Sequence, residues 1–501
     1  MNRTRRWFIG GLASCGALGG CRSLKGGWWA NDGTPRLRLG VLSDIHVWAD
    51  AKSEKCAKNC ETFRHALEWF RDQGVDAVVI AGDLADDGLT DQMQAVADTW
   101  FAVFPDDRAP DGRHVERLFV YGNHDWEGQN YGDAVAKRFP DKEERARHVL
   151  RTDYAGNWER IWHEPFAPIW QKEVNGYRFV GAHWVHGYCN GEKENFNPGI
   201  LEYYRQHARD FDPAKPFFHI QHPHPQNTCY GAWAWGYDKG DSTQALSRFP
   251  NAIAISGHSH YSLTDERSVW QGAFTSVGAS SLRYGGLPYD EYEGGYENSS
   301  AGGGRGWWYN ARKMMGGMNT GNCRQGMLWT ICDDRIVIRR RDFVGDFDLG
   351  QDWVLPLPCA ESKPFAFAAS ERRCRAPEFP ADAKLVLKPI RAKNRGGKTK
   401  TETVPAVEGP ALEVGIPAAI AADGARALCY SVTASVGEVR KTKRVMAEGF
   451  NLASADRKSS VPTRCVFSSG ELPFGEVRVS VSAENCFHRP GTPLEGLIDW
   501  R

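Results

Sequence analysis

LRLGVLSDIH, residues 37–46, reads as a buried strand that delivers an aspartate and a histidine at its end. Leu37, Leu39, Val41 and Leu42 form an apolar run of strand length, and Asp44 and His46 follow at once. Four further runs repeat the arrangement. Val75 to Ile80 leads to Gly82-Asp83, and Leu118 to Tyr121 leads to Gly122-Asn123-His124-Asp125. Phe217 to Ile220 leads to His222-Pro223, and Ala252 to Ile255 leads to Gly257-His258-Ser259-His260. Between them, Phe63, Leu67 and Phe70 recur at helical spacing up to Gly74, and Met93, Val96, Trp100 and Phe104 do the same before the Leu118 run. Strands alternating with helices predict an α/β sheet, whose ligands collect at the carboxyl ends of the strands. Each cluster alone is a weak signal: Asp-x-His at a strand end is ordinarily a turn or a cap, and Gly-Asp is a turn. Five in one structural context predict a shared site built from hard metal ligands.

Those residues resemble the calcineurin-like metallophosphoesterase superfamily, whose signature runs D-x-H, G-D, G-N-H-D/E, H and G-H-x-H in this order. The resemblance covers residues 36–282 with every signature position present, and Gln325 to Pro358 resembles the closing strands of exported bacterial members. It implies a layered αββα sandwich holding two transition-metal ions, drawn from Fe, Mn and Zn. By resemblance one ion takes Asp44, His46 and His260, the other takes Asn123, His222 and His258, and Asp83 bridges them. Two divalent cations ~3.5–4 Å apart share a hydroxide that attacks phosphorus in line. The implied substrate is therefore a phosphate ester. His124 is implied as the phosphate contact or the acid for the leaving group, with Asp125 placed to orient it.

Other histidines have plainer readings. His65, His148, His163 and His207 fall on helical faces as surface residues. His219 and His224 flank His222, so a ligand one step away stays open; His222 is preferred because it follows the Phe217 run and precedes Pro223. Purple acid phosphatases carry glycine where this chain has His46, and a tyrosine ligand where it has Asp86, so a tyrosinate-bound iron is not expected. Asp86 and Asp87 are expected to line the mouth of the site or to cap the next helix.

At the amino end, Thr4-Arg5-Arg6-Trp7-Phe8-Ile9 resembles a twin-arginine export signal, and the apolar stretch to Leu18 is too short for a comfortable membrane span. Leu18-Gly19-Gly20-Cys21 resembles a lipobox, so residues 1–21 are expected to direct export and lipidation at Cys21, giving a periplasmic or cell-surface lipoprotein whose only membrane contact is its lipid. Lys plus Arg equals Asp plus Glu at 62 each, which argues against a global pull towards nucleic acid. Of thirteen cysteines, Cys15 and Cys21 fall in the leader, and the remaining eleven cannot all pair; Cys56 and Cys60 are a candidate local disulfide.

The catalytic unit is expected over residues 35–358, interrupted by two inserts. The first, 126–176, contains Trp158, Trp162 and Trp170, expected to pack a helical cap. The second, 284–323, is dense in Gly, Tyr, Asn and Trp and follows the strand after the Gly257–His260 loop, so Arg283, Tyr284 and Trp307 are expected substrate contacts. From residue 360 to 501, short alternating strands (Lys384 to Leu387, Ala427 to Thr433, Glu476 to Ser482) predict a small all-β domain of fibronectin type III kind. The basic stretch Lys388 to Lys400 reads as a solvated hairpin tip. Two functions follow: a metal-dependent phosphoric ester hydrolase, or a surface-anchored binding lipoprotein on a retired phosphatase scaffold. Intact ligand positions and an intact His124 favour the enzyme.

Overall fold

The computed structural model describes residues 33–48, 52–127, 133–186, 195–229, 238–285, 324–394, 397–398, 403–404, 407–422, 426–447, 450 and 462–501. Residues 1–21, Trp307 and all but the first two residues of the 284–323 insert lie outside these. In chain order the strands of the first unit are β1 (Leu37–Leu42), β2 (Ala77–Ala81), β3 (Glu116–Val120), β4 (Ile169–Val174), β5 (Tyr177–Ala182), β6 (Phe217–Ile220) and β7 (Ala252–Ser256). They continue as β8 (Val269–Gln271), β9 (Thr275–Gly278), β10 (Gln325–Ile331), β11 (Arg335–Asp342), β12 (Phe347–Asp348) and β13 (Trp353–Pro356). One sheet runs β12-β11-β10-β1-β2-β3 with β13 on β11, and the other runs β4-β5-β6-β7-β9-β8. Neighbours β1, β2 and β3 are parallel, as are β5, β6, β7 and β9.

The two-residue period of the strands divides their side chains between two layers. Leu39, Val41, Ala77, Val79, Ile253 and Ile255 point into a core between the sheets. Leu42, Val78, Ile80, Ala252 and Ala254 point outwards, into a core shared with helices. Sheets buried on both faces explain why these strands read as continuous apolar runs. Helix α1 (Glu54–Asp72) starts at Ser53, whose side chain accepts from the Cys56 N–H, and buries Phe63, Ala66, Leu67 and Phe70. Helix α2 (Thr90–Val103) buries Met93, Val96 and Trp100 on the same side. The fold is thus the layered α/β sandwich expected.

Two local expectations fail. Trp158 and Trp162 lie on the buried face of the helix Tyr154–Trp162. Trp170, however, sits on strand β4, which pairs antiparallel with β5. IWQKEV alternates at an exposed sheet edge, and that period outweighs the surrounding helical composition. Cys56 and Cys60 face each other on consecutive turns of α1 with sulfurs 4.0 Å apart, as free thiols.

The C-terminal strands are β14 (Val386–Asn394), β15 (Gly397–Lys398), β16 (Thr403–Val404), β17 (Val407–Ile416), β18 (Cys429–Val436), β19 (Val439–Met446), β20 (Thr463–Ser468), β21 (Gly475–Glu484) and β22 (Leu494–Trp500). They form separate antiparallel sheets, β14-β17-β20 and β19-β18-β21-β22, with a β15-β16 ribbon. Leu412 and Val414 of one sheet share a core with Val432, Val479 and Val481 of the other. Cys359 and Phe365 still belong to the core between the first two sheets, whereas Cys374 belongs to this second core.

Phe70 is fully buried, and its ring lies so close to Gly40 that a Cβ there would come within 2.5 Å of it. Phe70→Ala should destabilise the protein by about 3–5 kcal/mol through lost contacts and a residual cavity. Equilibrium denaturation checks this; a loss below about 1 kcal/mol would mean that α1 does not key onto β1 through this ring.

Candidate metal centre

The chain leaves β1, β2 and β7 by entering a conformation it ordinarily avoids. Asp44, His46, Asp83, His258 and His260 have φ of 53°, 48°, 54°, 67° and 56°. Left-handed backbone at non-glycine residues costs on the order of 1–3 kcal/mol each and persists where the surroundings over-determine it. Here backbone hydrogen bonds do so. Asp44 N donates to Gly82 O, His46 N to Asp83 O and Val47 N to Leu84 O, at 3.0, 2.9 and 2.9 Å. The β1 and β2 loops thus stay paired beyond their strands. Asp44 Oδ2 accepts from His258 N at 3.0 Å, tying in the loop after β7.

Gly82, at φ 93°, is required by both its backbone and its neighbour, since a Cβ there would lie 2.4 Å from His222 Nδ1.

These loops, with the one after β6, bring together six buried side chains. Asp44 Oδ1 lies 2.8 Å from His260 Nε2 and 3.5 Å from His46 Nε2. Asp83 Oδ2 lies 3.1 Å from His222 Nε2 and 3.5 Å from His46 Nε2. Imidazole nitrogens approach each other just as closely: His46 Nε2 to His260 Nε2, and His222 Nε2 to His258 Nδ1, are each 3.2 Å apart. Asn123 is buried beside them, and His124 N donates to Asp83 Oδ1 at 2.9 Å.

Which nitrogen faces inwards follows from what holds the other. His222 Nδ1 donates to the Ala81 carbonyl at 2.7 Å, His260 Nδ1 to the Tyr284 carbonyl at 3.2 Å, and His46 Nδ1 to Asp86 Oδ1 at 3.0 Å. A carbonyl or carboxylate can only accept, so each Nδ1 carries the hydrogen and each Nε2 presents its lone pair to the centre. Lone pairs of His46 and His260 3.2 Å apart repel unless a proton or a cation lies between them. Without a cation, protons serve: burial opposes charge on His46 and His222, yet the surrounding carboxylates raise both to about 9. Burial likewise opposes ionisation of Asp44 and Asp83, but the imidazoles hold both carboxyls below their usual range. Among the described residues, Asp44 Oδ1 is completely buried without a hydrogen-bond donor of its own. These donors fit a pair of cations, with Asp44, His46 and His260 around one position and Asp83, His222 and His258 around another.

His219 is held by the Tyr204 hydroxyl at 2.8 Å and Gln221 Oε1 at 2.7 Å, and His224 by Ser256 and Ser259 Oγ at 2.6 and 2.8 Å. The geometry therefore places His222, not its neighbours, at the centre. His124 is oriented differently from expectation: its Nδ1 donates to the Asp86 carbonyl at 2.7 Å. Burial lowers its pKa. Asp125 spends its carboxylate on the backbone N–H groups of Leu84, Ala85 and Gly122, at 3.2, 2.7 and 2.8 Å, tying the β2 loop to the β3 turn. Burial, then the nearby Asp83 charge, raise it to about 7.

Asp86 lines the site, while Asp87 engages Gln92 near the start of α2. Arg283 and Tyr284 reach the cluster. Sequence reasoning misses Trp184, whose buried indole lies 6.1 Å from both His222 and His258. It follows β5, another parallel strand, so a search of every strand end finds it. Cys429, Glu484 and His488 also meet, in the C-terminal sheets, where Arg444 neutralises Glu484.

Residues 37–262, a little under half of the chain, match the family model for calcineurin-like phosphoesterase. Among solved structures the chain resembles a dimetal phosphatase from Danio rerio, at 12% identity and a TM-score of 0.35, over 64% of this chain and 99% of that one. It also resembles a purple acid phosphatase from yellow lupin (Lupinus luteus) seeds, at 12% identity and a TM-score of 0.40, over 64% of this chain and 54% of that one. No curated protein matches the chain.

Gly82 and Gly112 separate backbone strain from crowding, because Gly112 has φ 83° and, among the described residues, no atom within 4 Å of where a Cβ would stand. Gly112→Ala should cost only the backbone term, about 1–2 kcal/mol. Gly82→Ala should cost clearly more and also weaken Zn²⁺ uptake, since His222 must move. Thermal unfolding and metal titration of the two variants check this; equal costs and unchanged uptake would contradict the Gly82–His222 contact.

Proposed function

We propose that this chain is a dinuclear-metal phosphoesterase. The observation that carries the reading is the convergence of buried imidazole nitrogens and carboxylates, 2.8 to 3.5 Å apart, on two adjoining positions. Asp44, His46 and His260 would hold one ion, and Asn123, His222 and His258 the other. Asp83 would serve both, because its Oδ2 lies between His46 and His222. A donor set this rich in imidazole suits Fe, Mn or Zn better than Mg or Ca. Two such cations, when bound, supply the charge that activates water and stabilises phosphoryl oxygens. The family-model match over these strands supports the same chemistry.

The protein's own groups then divide the work. Asp83 and Asp44 meet the positive charge, and their burial keeps bulk water from screening it. The anchored Nδ1–H groups fix the rings of His46, His222 and His260, so these groups need not reorganise during turnover. His124 is held at Nδ1 by the Asp86 carbonyl, so it meets the phosphate, or passes a proton to the leaving oxygen, at Nε2. Asp125 keeps the loops bearing Asp83 and His124 at a fixed separation through its three backbone hydrogen bonds.

The metal-loaded protein should hydrolyse at least one class within a panel of phosphate monoesters, diesters and pyrophosphates. His124→Ala should lower kcat by ~10²–10⁴ with metal content unchanged. Steady-state kinetics with elemental analysis checks both. Inertness of the loaded wild type across the whole panel would sink the phosphoesterase reading, and wild-type turnover in the variant would remove His124 from it.

A further inference from the structure

We infer that Arg283 and Tyr284 are positioning residues for the Asp44–His46–His260 ion alone, and not the substrate contacts their place in the sequence implies. The inference rests on the dinuclear reading above. The turn after β9 touches that ion's ligands at three points. The Tyr284 carbonyl fixes His260 through its Nδ1–H, and the two rings stand 4.3 Å apart. The Tyr284 ring also stacks 6.3 Å from that of His46. Arg283 donates to Asp86 Oδ1, the same oxygen that accepts from His46 Nδ1.

Two aromatic rings flank the guanidinium. Its carbon lies 5.2 Å from the centre of the Trp48 ring and 5.8 Å from that of Tyr284. The turn is fastened in turn to the strand that supplies Asp44. Ser281 Oγ accepts from Arg283 N and Tyr284 N, at 3.0 and 3.3 Å, and donates to the Asp44 carbonyl at 3.1 Å. Leu282 N donates to the Ser43 carbonyl at 3.0 Å.

The ring anchor of His222, at the second position, lies elsewhere. His222 takes its orientation from Ala81 at the end of β2, and His258 is tied through its backbone N–H to Asp44. Arg283 is itself largely shielded from water and already gives an N–H to Asp86, so its charge is balanced within the protein. Its removal would leave Asp86 with a charge it cannot readily keep buried and His46 without a firm partner. The two metal positions therefore differ in what secures them: one depends on a turn contributed from far along the chain, the other on a sheet strand.

The test is metal affinity rather than turnover. Full-length protein, stripped with chelator, is titrated with Zn²⁺ against a competing chromophoric chelator. Wild type should show two sites, and Arg283→Ala should weaken one about 10–100-fold while leaving the other unchanged. Adding Arg283→Ala to His258→Ala should weaken the remaining ion, whereas adding it to His260→Ala should change nothing. Arg283→Gln retains an N–H donor for Asp86 and should show a smaller loss of the same kind, which keeps the test available if the alanine variant does not fold. Two wild-type affinities in Arg283→Ala, or equal weakening of both, would overturn the inference. Unchanged affinities with a fall in kcat/KM would return Arg283 to the substrate. A wild type that takes up no Zn²⁺ would instead overturn the dinuclear reading on which this rests.

Discussion

Two carboxylates removed from water at the ends of adjacent parallel strands impose the constraint on which the rest of the site depends. Asp44 and Asp83 are 0% and 1% exposed. An unpaired buried carboxylate costs several kcal/mol, so the fold must bring positive charge to them or leave them protonated. It surrounds them with imidazoles that can be charged or can share a cation. Everything nearby serves that arrangement: the left-handed turns, the glycine that lets His222 approach, and the backbone hydrogen bonds joining the loops after β1 and β2.

The same logic explains the ring anchors. The group that accepts from one imidazole nitrogen decides how the other is presented, and here the acceptors are of different kinds. A strand carbonyl holds His222, a turn carbonyl holds His260, and a carboxylate braced by Arg283 holds His46. The end of an interior strand thus holds His222 in one half of the centre, and groups from distant segments secure the other. Asp125 links the halves indirectly, by fixing the loop that carries Asp83 to the turn bearing His124.

Much of this was legible in the sequence because the clustered residues follow directly on the strands that position them. Apolar run and polar cluster are contiguous, so one pass along the chain yields both sheet and site. What was missed is non-local. The Arg283–Asp86 contact spans 197 positions, and no local pattern announces it. Asp125 carries the charge expected of an orienting group, but which backbone groups it meets is set only by tertiary packing. Trp184 follows a parallel strand whose end carries no ligand motif. In the C-terminal region, β19 reads VRKTKRVM and escaped detection because it is an edge strand, where basic residues guard an open edge. Pro389 similarly disguised β14, which also lies at a sheet edge.

Anomalous diffraction from crystals of the Zn²⁺- or Mn²⁺-loaded protein tests the dinuclear centre most directly. Two peaks should appear about 3.5–4 Å apart. One should lie among Asp44, His46 and His260, the other among Asn123, His222 and His258, with the Asp83 carboxylate between them. A single peak, or two peaks not joined by Asp83, would contradict the bridged arrangement.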